Sequence, residues 1–367
     1  MTAATVDLVV AVHDVRRPLE RTIRSVLDDD TRDRTGVVVV RHGLGAGAFA
    51  DLEARTAGRR ARWVGHDDGV RSPAGPYNAG IRAATADYVG VMGSDDVLEP
   101  GAVKAMLRHL DEDAPDVLVL PLRHADGEPV RSPLSRPFRT RRLDPVKDRL
   151  AYRTAPLAVV RRELWHELNL SFTEGMATGE DVEVSARLWF SGARIDFHPR
   201  DPGYVIMTDG PERVTSQVRP LAYDLEPFAR LLTLPEVAVL SASARRGLAV
   251  KTLRVHLLAA LDGQERRGTL DQPAVDAAGE LVRRALRLAP GALAPFSRAD
   301  RTVLDVLAAH GARPETVLDA VRARRGAGTL AHLLPADPVR MLDRESTVRR
   351  YGRYATWARR PRYGGGS

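Results

Sequence analysis

The sequence predicts an α/β protein: a mostly parallel sheet flanked by helices, followed by an all-α domain. Three observations carry this. Short, wholly apolar runs recur through the first half, as strands buried on both faces do. Between them lie stretches with apolar residues at helical spacing, so that strand and crossover helix alternate. Past about Pro220 the strand signals cease and helical periodicity continues alone. At 367 residues the chain is long enough for two cores.

The elements follow in order. Residues 7–12 are an apolar strand ending at His13-Asp14; Pro18 suits a first helical turn, and Leu19, Ile23, Val26 and Leu27 continue it as far as Asp28-Asp29-Asp30. Residues 36–40 form a second buried strand that stops at Arg41-His42-Gly43. Residues 47–57 make a helix, Arg62-Trp63-Val64 a short strand, and residues 67–76, rich in Asp, Gly and Pro, a surface loop. A helix through Tyr77-Asn78-Ala79-Gly80 has residues small enough to lie close to the sheet. Strand 87–92, helix 101–110, strand 116–120, strand 156–160, helix 161–168 and a helix opened by Glu180-Asp181 complete the first half. In the second half, residues 248–261, 275–288, 297–310 and 314–324 read as helices of a bundle, with Ser297 and Asp300 as a capping box, Gly311 a stop and Pro314 a new start. The domains are thus 1–218, 219–345 (helical), and a tail, 346–367, read as disordered. The bundle's role is open among binding an acceptor, oligomerisation and shielding the domain surface.

Composition narrows the function classes. With no cysteine the chain has no disulfide, thiolate metal site or cysteine nucleophile, which fits a reducing compartment. No signal peptide or membrane-length apolar run is present, so the expectation is a cytoplasmic protein. Six of the seven net positive charges sit in 346–367 as Arg349, Arg350, Arg353, Arg359, Arg360 and Arg362, leaving a nearly neutral body. That argues against nucleic acid as a partner. Interleaved with Tyr351, Tyr354, Trp357 and Tyr363, these arginines suit the inner face of an anionic membrane, or equally a solubilising tail. Arg139, Arg141 and Arg142 are a solvated charge run or a loop that meets an anionic acceptor. Only three lysines, Lys104, Lys147 and Lys251, stand among 55 basic residues; we read this as codon bias.

Two acidic pairs carry the chemistry. Asp95-Asp96 follows the apolar run 89–92 directly, at the carboxyl edge of the sheet, where open α/β folds bind ligands. Such a pair can hold a hard divalent cation against phosphate oxygens, or it can be a turn in which Ser94 or Asp95 caps the next helix. Glu180-Asp181 has the same ambiguity: Thr178 and Asp181 have capping-box spacing, and a carboxylate fixed at a helix start is also well placed as a general base.

Residues 1–218 resemble the family 2 glycosyltransferases of GT-A type. The likeness rests on the strand 8–12; on Asn78-Ala79-Gly80 followed by Ala86-Asp87-Tyr88-Val89; on Ser94-Asp95-Asp96-Val97-Leu98-Glu99-Pro100; and on Arg161-Arg162-Glu163-Leu164 through Phe172, Gly179-Glu180-Asp181 and Gly192. Arg213-Val214-Thr215-Ser216 resembles the family's closing segment. The resemblance implies an inverting transfer from a nucleotide-sugar donor, with Asp95 and Asp96 holding Mn²⁺ or Mg²⁺ on the diphosphate, Asp181 as base and Glu180 assisting it. It further implies donor contacts from Ala11, His13, Arg41, His42, Asn78 and Ser94. The implied acceptor is a bacterial surface glycopolymer or lipid-linked saccharide. The domain layout is similar to that of wall teichoic-acid glycosyltransferases, and homo-oligomers fit the pattern. Two features depart from it: Arg41 and His42 replace acids, one of which reads uracil, and Gly93 replaces the first acid of the metal motif. Arg41, a donor only, suits a CDP-, CMP- or GDP-linked sugar; alternatively Asp67 or Asp68 restores uracil binding. A lapsed module that keeps the fold for binding or assembly is the rival reading.

Overall fold

The computed structural model describes residues 3–27, 31, 33–210 and 219–358. The chain opens with β1 (Val6–Val12), α1 (Leu19–Leu27), β2 (Thr35–His42), α2 (Ala50–Thr56), β3 (Ala61–His66), α3 (Ala74–Ala83) and β4 (Tyr88–Gly93). Next come β5 (Val97–Leu98), α4 (Ala102–Asp113), β6 (Val117–Val119), β7 (Leu122–His124), β8 (Ala158–Arg161), α5 (Arg162–Glu167), α6 (Val182–Trp189), β9 (Ile195–Phe197) and β10 (Tyr204–Ile206). A seven-stranded sheet has the order β3-β2-β1-β4-β8-β6-β9. Within it β1 pairs in parallel with both β2 and β4, while β8 is antiparallel to both its neighbours. The sheet is therefore mostly parallel, as the alternation of apolar runs and helices predicts. A second sheet, β5-β10-β7, joins three short strands; their two- and three-residue lengths gave no periodic signal.

Apolar cores cover both faces of the large sheet, because alternate residues of β1, such as Val9 and Val10, enter opposite layers. Helix α3 lies hard against one face. A Cβ on Gly80 would stand 2.2 Å from Val9 Cγ1 and 2.9 Å from Val40 Cγ2, so the small residues expected there are a packing requirement.

The second half is helical: α7 (Leu221–Leu231), α8 (Pro235–Ala238), α9 (Ala242–Lys251), a π-helical turn (Thr252–Leu257), α10 (Leu258–Arg267), α11 (Gln272–Leu288), α12 (Arg298–Ala308), α13 (Pro314–Gly326) and α14 (Thr329–Leu333). Ser297 caps α12 through the Asp300 N–H, as its spacing predicts. The core of this part includes Val182 and Ala186 of α6, so it is continuous with the first domain. No helix among the described residues is long and apolar enough to cross a membrane.

The tail differs from expectation over its first turns: Thr347–Ala358 is a helix, α15. Ser346 Oγ accepts the Arg349 N–H, Arg350 lies over the Tyr152 and Tyr354 rings, and Tyr354 packs against the sheet core. Composition marks this segment as basic and soluble; the aromatic and guanidinium packing that orders it is visible only in three dimensions. Asp28-Asp29-Asp30, Arg213-Val214-Thr215-Ser216 and residues 359–367, with Arg359, Arg360, Arg362 and Tyr363, lie outside the described residues.

Gly80→Ala is expected to lower stability by about 1–3 kcal/mol through overpacking. An unchanged urea midpoint would contradict the close approach of α3 to the sheet.

Candidate active site

At the carboxyl ends of β1 and β2 the chain leaves a cleft of 1030 Å³. One wall is the turn after β1, with His13, Asp14, Arg16 and Arg17; another is the 67–73 loop together with His42. Asp95 enters from the turn after β4 and Glu180-Asp181 from the turn before α6; α7 adds Asp224 and Phe228. Asp95 and Glu180, 85 residues apart in sequence, thus meet with Asp181 across one space.

The first pair divides its labour. Asp95 lines the cleft, and its Oδ2 is 2.6 Å from the Arg17 guanidinium. Arg21 donates to the Asp95 carbonyl and also grips Asp209, which brings Gly210 against the Asp95 carboxylate. Asp96 turns inward. Its Oδ2 accepts from the Tyr204 hydroxyl at 2.5 Å and its Oδ1 from the Met207 N–H at 2.8 Å. The Tyr204 oxygen in turn accepts the Gly93 N–H at 2.9 Å. Asp96 is therefore a structural tie between the two sheets, which corrects its assignment as a metal ligand. The same network explains Gly93: a Cβ there would meet Asp96 Oδ2 at 2.6 Å. Asp95, the member of this pair that faces the cleft, still fits Mn²⁺ or Mg²⁺, which bind through one or two carboxylates plus substrate phosphates and water.

The second pair is half-buried and faces the cleft. Asp181 occupies the N-cap position of α6, yet its side chain makes no capping bond; the capping-box reading therefore fails and the carboxylate is left for other work. Burial, and then the Asp181 charge, push Glu180 up to about 7. Burial also raises Asp181, opposed by the positive charge of Lys251. Lys251 is itself buried, which brings it down to about 8. Its ammonium lies 5.4 Å from the centroid of Phe228, whose other neighbour is the stacked His256 ring at 3.8 Å. Gly179, at φ 81°, permits the turn, and Pro227 of α7 would be 2.5 Å from any Cβ placed on it.

Of the other expected contacts, Ala11, His13 and His42 line the cleft, and three do not. Arg41 points away, with its guanidinium on Glu53 at 2.5 Å and 5.8 Å from the Trp63 ring. Asn78 clamps the Phe172 backbone through both its amide atoms and reaches Glu174. Ser94 is buried, and its carbonyl accepts from Thr22. Arg41 and Asn78 hold the frame through their side chains, and Ser94 through its backbone carbonyl. His42 bonds Asp68, which also meets His66, while Asp67 is on the cleft wall. Sequence reasoning missed Arg17, Tyr204, Phe228 and Lys251. Only Lys251 carried a signal, its rarity. A separate group of ligand-type side chains, His109, His198 and Asp201 with Asp113 and Asp196 nearby, lies outside the cleft wall and shares no residue with the expected metal site.

Tyr204→Phe should remove the donor to a buried carboxylate and cost about 1–3 kcal/mol, read by chemical denaturation; a loss below ~0.5 kcal/mol would show that Asp96 does not depend on it.

Comparison with known proteins agrees with this architecture. Residues 7–168 match the model of glycosyl transferase family 2. The succinoglycan biosynthesis protein ExoO of Rhizobium meliloti (strain 1021) is 26% identical over 211 residues, 54% of this chain; the match spans only 60% of that relative's length. The solved structure of S. aureus TarS 1-349 in complex with UDP-GlcNAc aligns with a TM-score of 0.73 at 16% identity, over 88% of this chain and 91% of that one. TarS 1-349 in complex with UDP gives 0.70 at 16% identity, over 89% and 93%. The shared fold therefore extends through the helical half. Asp95 lies inside the segment that matches the glycosyl transferase family 2 model, and Glu180-Asp181 lies just beyond it.

Proposed function

We propose that the protein transfers a sugar, with inversion, from a nucleotide-activated donor to a hydroxyl of a bacterial surface glycopolymer or lipid-linked saccharide. The observation that carries this reading is the meeting of Asp95 and Glu180-Asp181 on the walls of one cleft. Likeness to ExoO, a succinoglycan biosynthesis protein, and to TarS, solved with UDP-GlcNAc, supports the donor and acceptor classes.

Asp95 would hold Mn²⁺ or Mg²⁺ together with diphosphate oxygens and water, and the cation supplies neutralisation of charge on the leaving diphosphate. Arg17 fixes the Asp95 carboxylate and, with Arg16 and Arg71 on the same walls, makes the region attractive to an anionic donor. Asp181 removes the proton of the acceptor hydroxyl as that oxygen attacks the anomeric carbon from the face opposite the diphosphate. A base works best with its pKa near the working pH. Burial raises Asp181 toward that range while Lys251 keeps its ionised form accessible. Glu180 retains its proton to about 7, so it assists as a hydrogen-bond donor rather than as a second negative charge. Asp67, on the cleft wall, is suited to accept the imide N–H of uracil, which makes a UDP-sugar the favoured donor. The departures that suggest a lapsed module have packing causes instead: Gly93 makes room for Asp96, and Arg41 serves Glu53.

Donor hydrolysis and transfer, screened over activated sugars with Mn²⁺ and Mg²⁺, test the reading. Asp181→Asn should lower transfer about 10²-fold or more while sparing donor binding, and Asp95→Ala should weaken metal-dependent donor binding itself. Full turnover by Asp181→Asn would remove it as the base. In Lys251→Met the burial of Asp181 is no longer opposed, so its pKa rises and the acid limb of kcat/KM moves to higher pH. Lys251→Arg should restore the profile, and an unmoved limb in Lys251→Met would sever Lys251 from the base.

A further inference from the structure

Away from the cleft, a cavity of 180 Å³ is lined, among the described residues, by Arg136, Lys147, Arg149, Arg344, Arg349 and Arg353. That is well above the ~10–15 Å³ that a single water needs. Arg136, Lys147 and Arg149 come from the connection between β7 and β8. The other three come from the chain entering α15 and from α15 itself, so the site exists only because that helix folds back onto the first domain.

Arg149 is the floor. Its side chain is 3% exposed, and its Nε and Nη1 have no hydrogen-bond partner; Nη2 is used on the Arg344 carbonyl. Three carboxylates stand near. Asp148 takes both arms of Arg136, Asp144 lies 3.7 Å from Lys147, and Glu345 lies 3.7 Å from Arg149 while accepting from the Tyr152 hydroxyl. Six cations against these three acids leave the cavity with a positive excess. Arg353 is held below its usual range, first by burial and then by Arg149, with Arg136 and Arg349 adding to the effect. Folding has therefore gathered like charges, and left buried N–H groups unused, at a place where an anion would answer both costs.

We propose that this cavity is a binding site for a phosphate group, carried by a phosphate ester or by inorganic phosphate. Several arginines converging on one small volume match the tetrahedral oxygens of phosphate through their planar forks. The argument uses nothing from the catalytic cleft and stands or falls apart from the transfer reaction.

The probe is inorganic phosphate added to the full chain in a phosphate-free buffer, followed by calorimetry and thermal unfolding, with glycerol 3-phosphate and phosphatidylglycerol vesicles as further arms. Saturable binding and a rising Tm are expected for the parent. Arg349→Gln/Arg353→Gln should weaken binding at least tenfold, and without phosphate it should unfold no earlier than the parent, because repulsion is relieved. Lys147→Gln, at a half-exposed side chain, should weaken binding severalfold and serves if the double variant fails to fold. Arg17→Gln, in the catalytic cleft, should leave the signal in place. Tighter binding of glycerol 3-phosphate than of phosphate supports a soluble ester as the source, and retention on the vesicles supports a lipid headgroup. Absence of saturable binding, or equal affinity in parent and cavity variants, overturns the proposal.

Discussion

The candidate site depends on holding two adjacent, half-buried carboxylates, Glu180 and Asp181, near the buried cation Lys251. Carboxylates withdrawn from water resist ionisation, and two together resist it more; burial raises both members of this pair. The opposing charge comes from Lys251, at the end of α9, in the other half of the chain. Lys251 is placed by the packing of α7 against the Gly179 turn, which has no room for a side chain, and by a π-helical turn that begins at the next residue. Such turns break the regular register of a helix and are frequent at functional sites. The helical half therefore contributes to the electrostatics of the cleft directly.

The other acidic pair shows how one motif can serve fold and chemistry at once. Asp95 faces the cleft and Asp96 faces the protein. Neighbours in an irregular turn point in different directions, and only one of two adjacent carboxylates can stay in the cleft while the other ties β4 to β10. Tyr204 is the joint: its hydroxyl both donates to Asp96 and accepts from Gly93. A third carboxylate at position 93 would have to share that space, so the glycine follows from the tie and is no sign of decay.

Much of the fold was legible because its signals are local. The apolar runs that became β1, β2 and β4 are continuous, and α11 to α13 keep their periodicity over ten residues or more. The small sheet was not legible, since β5, β7 and β10 are too short to show a period and are held by long-range pairing. Spacing and resemblance singled out Asp95, Glu180 and Asp181, and these three line one cleft. Arg41, Asn78, Ser94 and Asp96 were misplaced because residue type does not say which way a side chain turns. Arg41 has a nearby glutamate and an indole face, and those contacts outcompete the cleft. Phe228 carried no signal, and the rarity of Lys251 did not reveal its partner, since nothing local joins residue 251 to residue 181.

The same limit bears on the arginines. Counted along the chain, the charge of the tail looks like a solvated run with one function, attraction to an anionic surface. In space its members are used differently. Arg350 is stacked between two tyrosines, where its charge is spent on holding α15 down. Arg349 and Arg353 sit one turn apart, and both turn toward the same cavity as Arg149. A charge run that served only for solubility would spread its members into water, where mutual repulsion is smallest. Convergence on a buried guanidinium runs against that electrostatic preference, and the contacts of Arg350 with Tyr152 and of Tyr354 with the sheet core, which hold α15 down, are what keep the charges together.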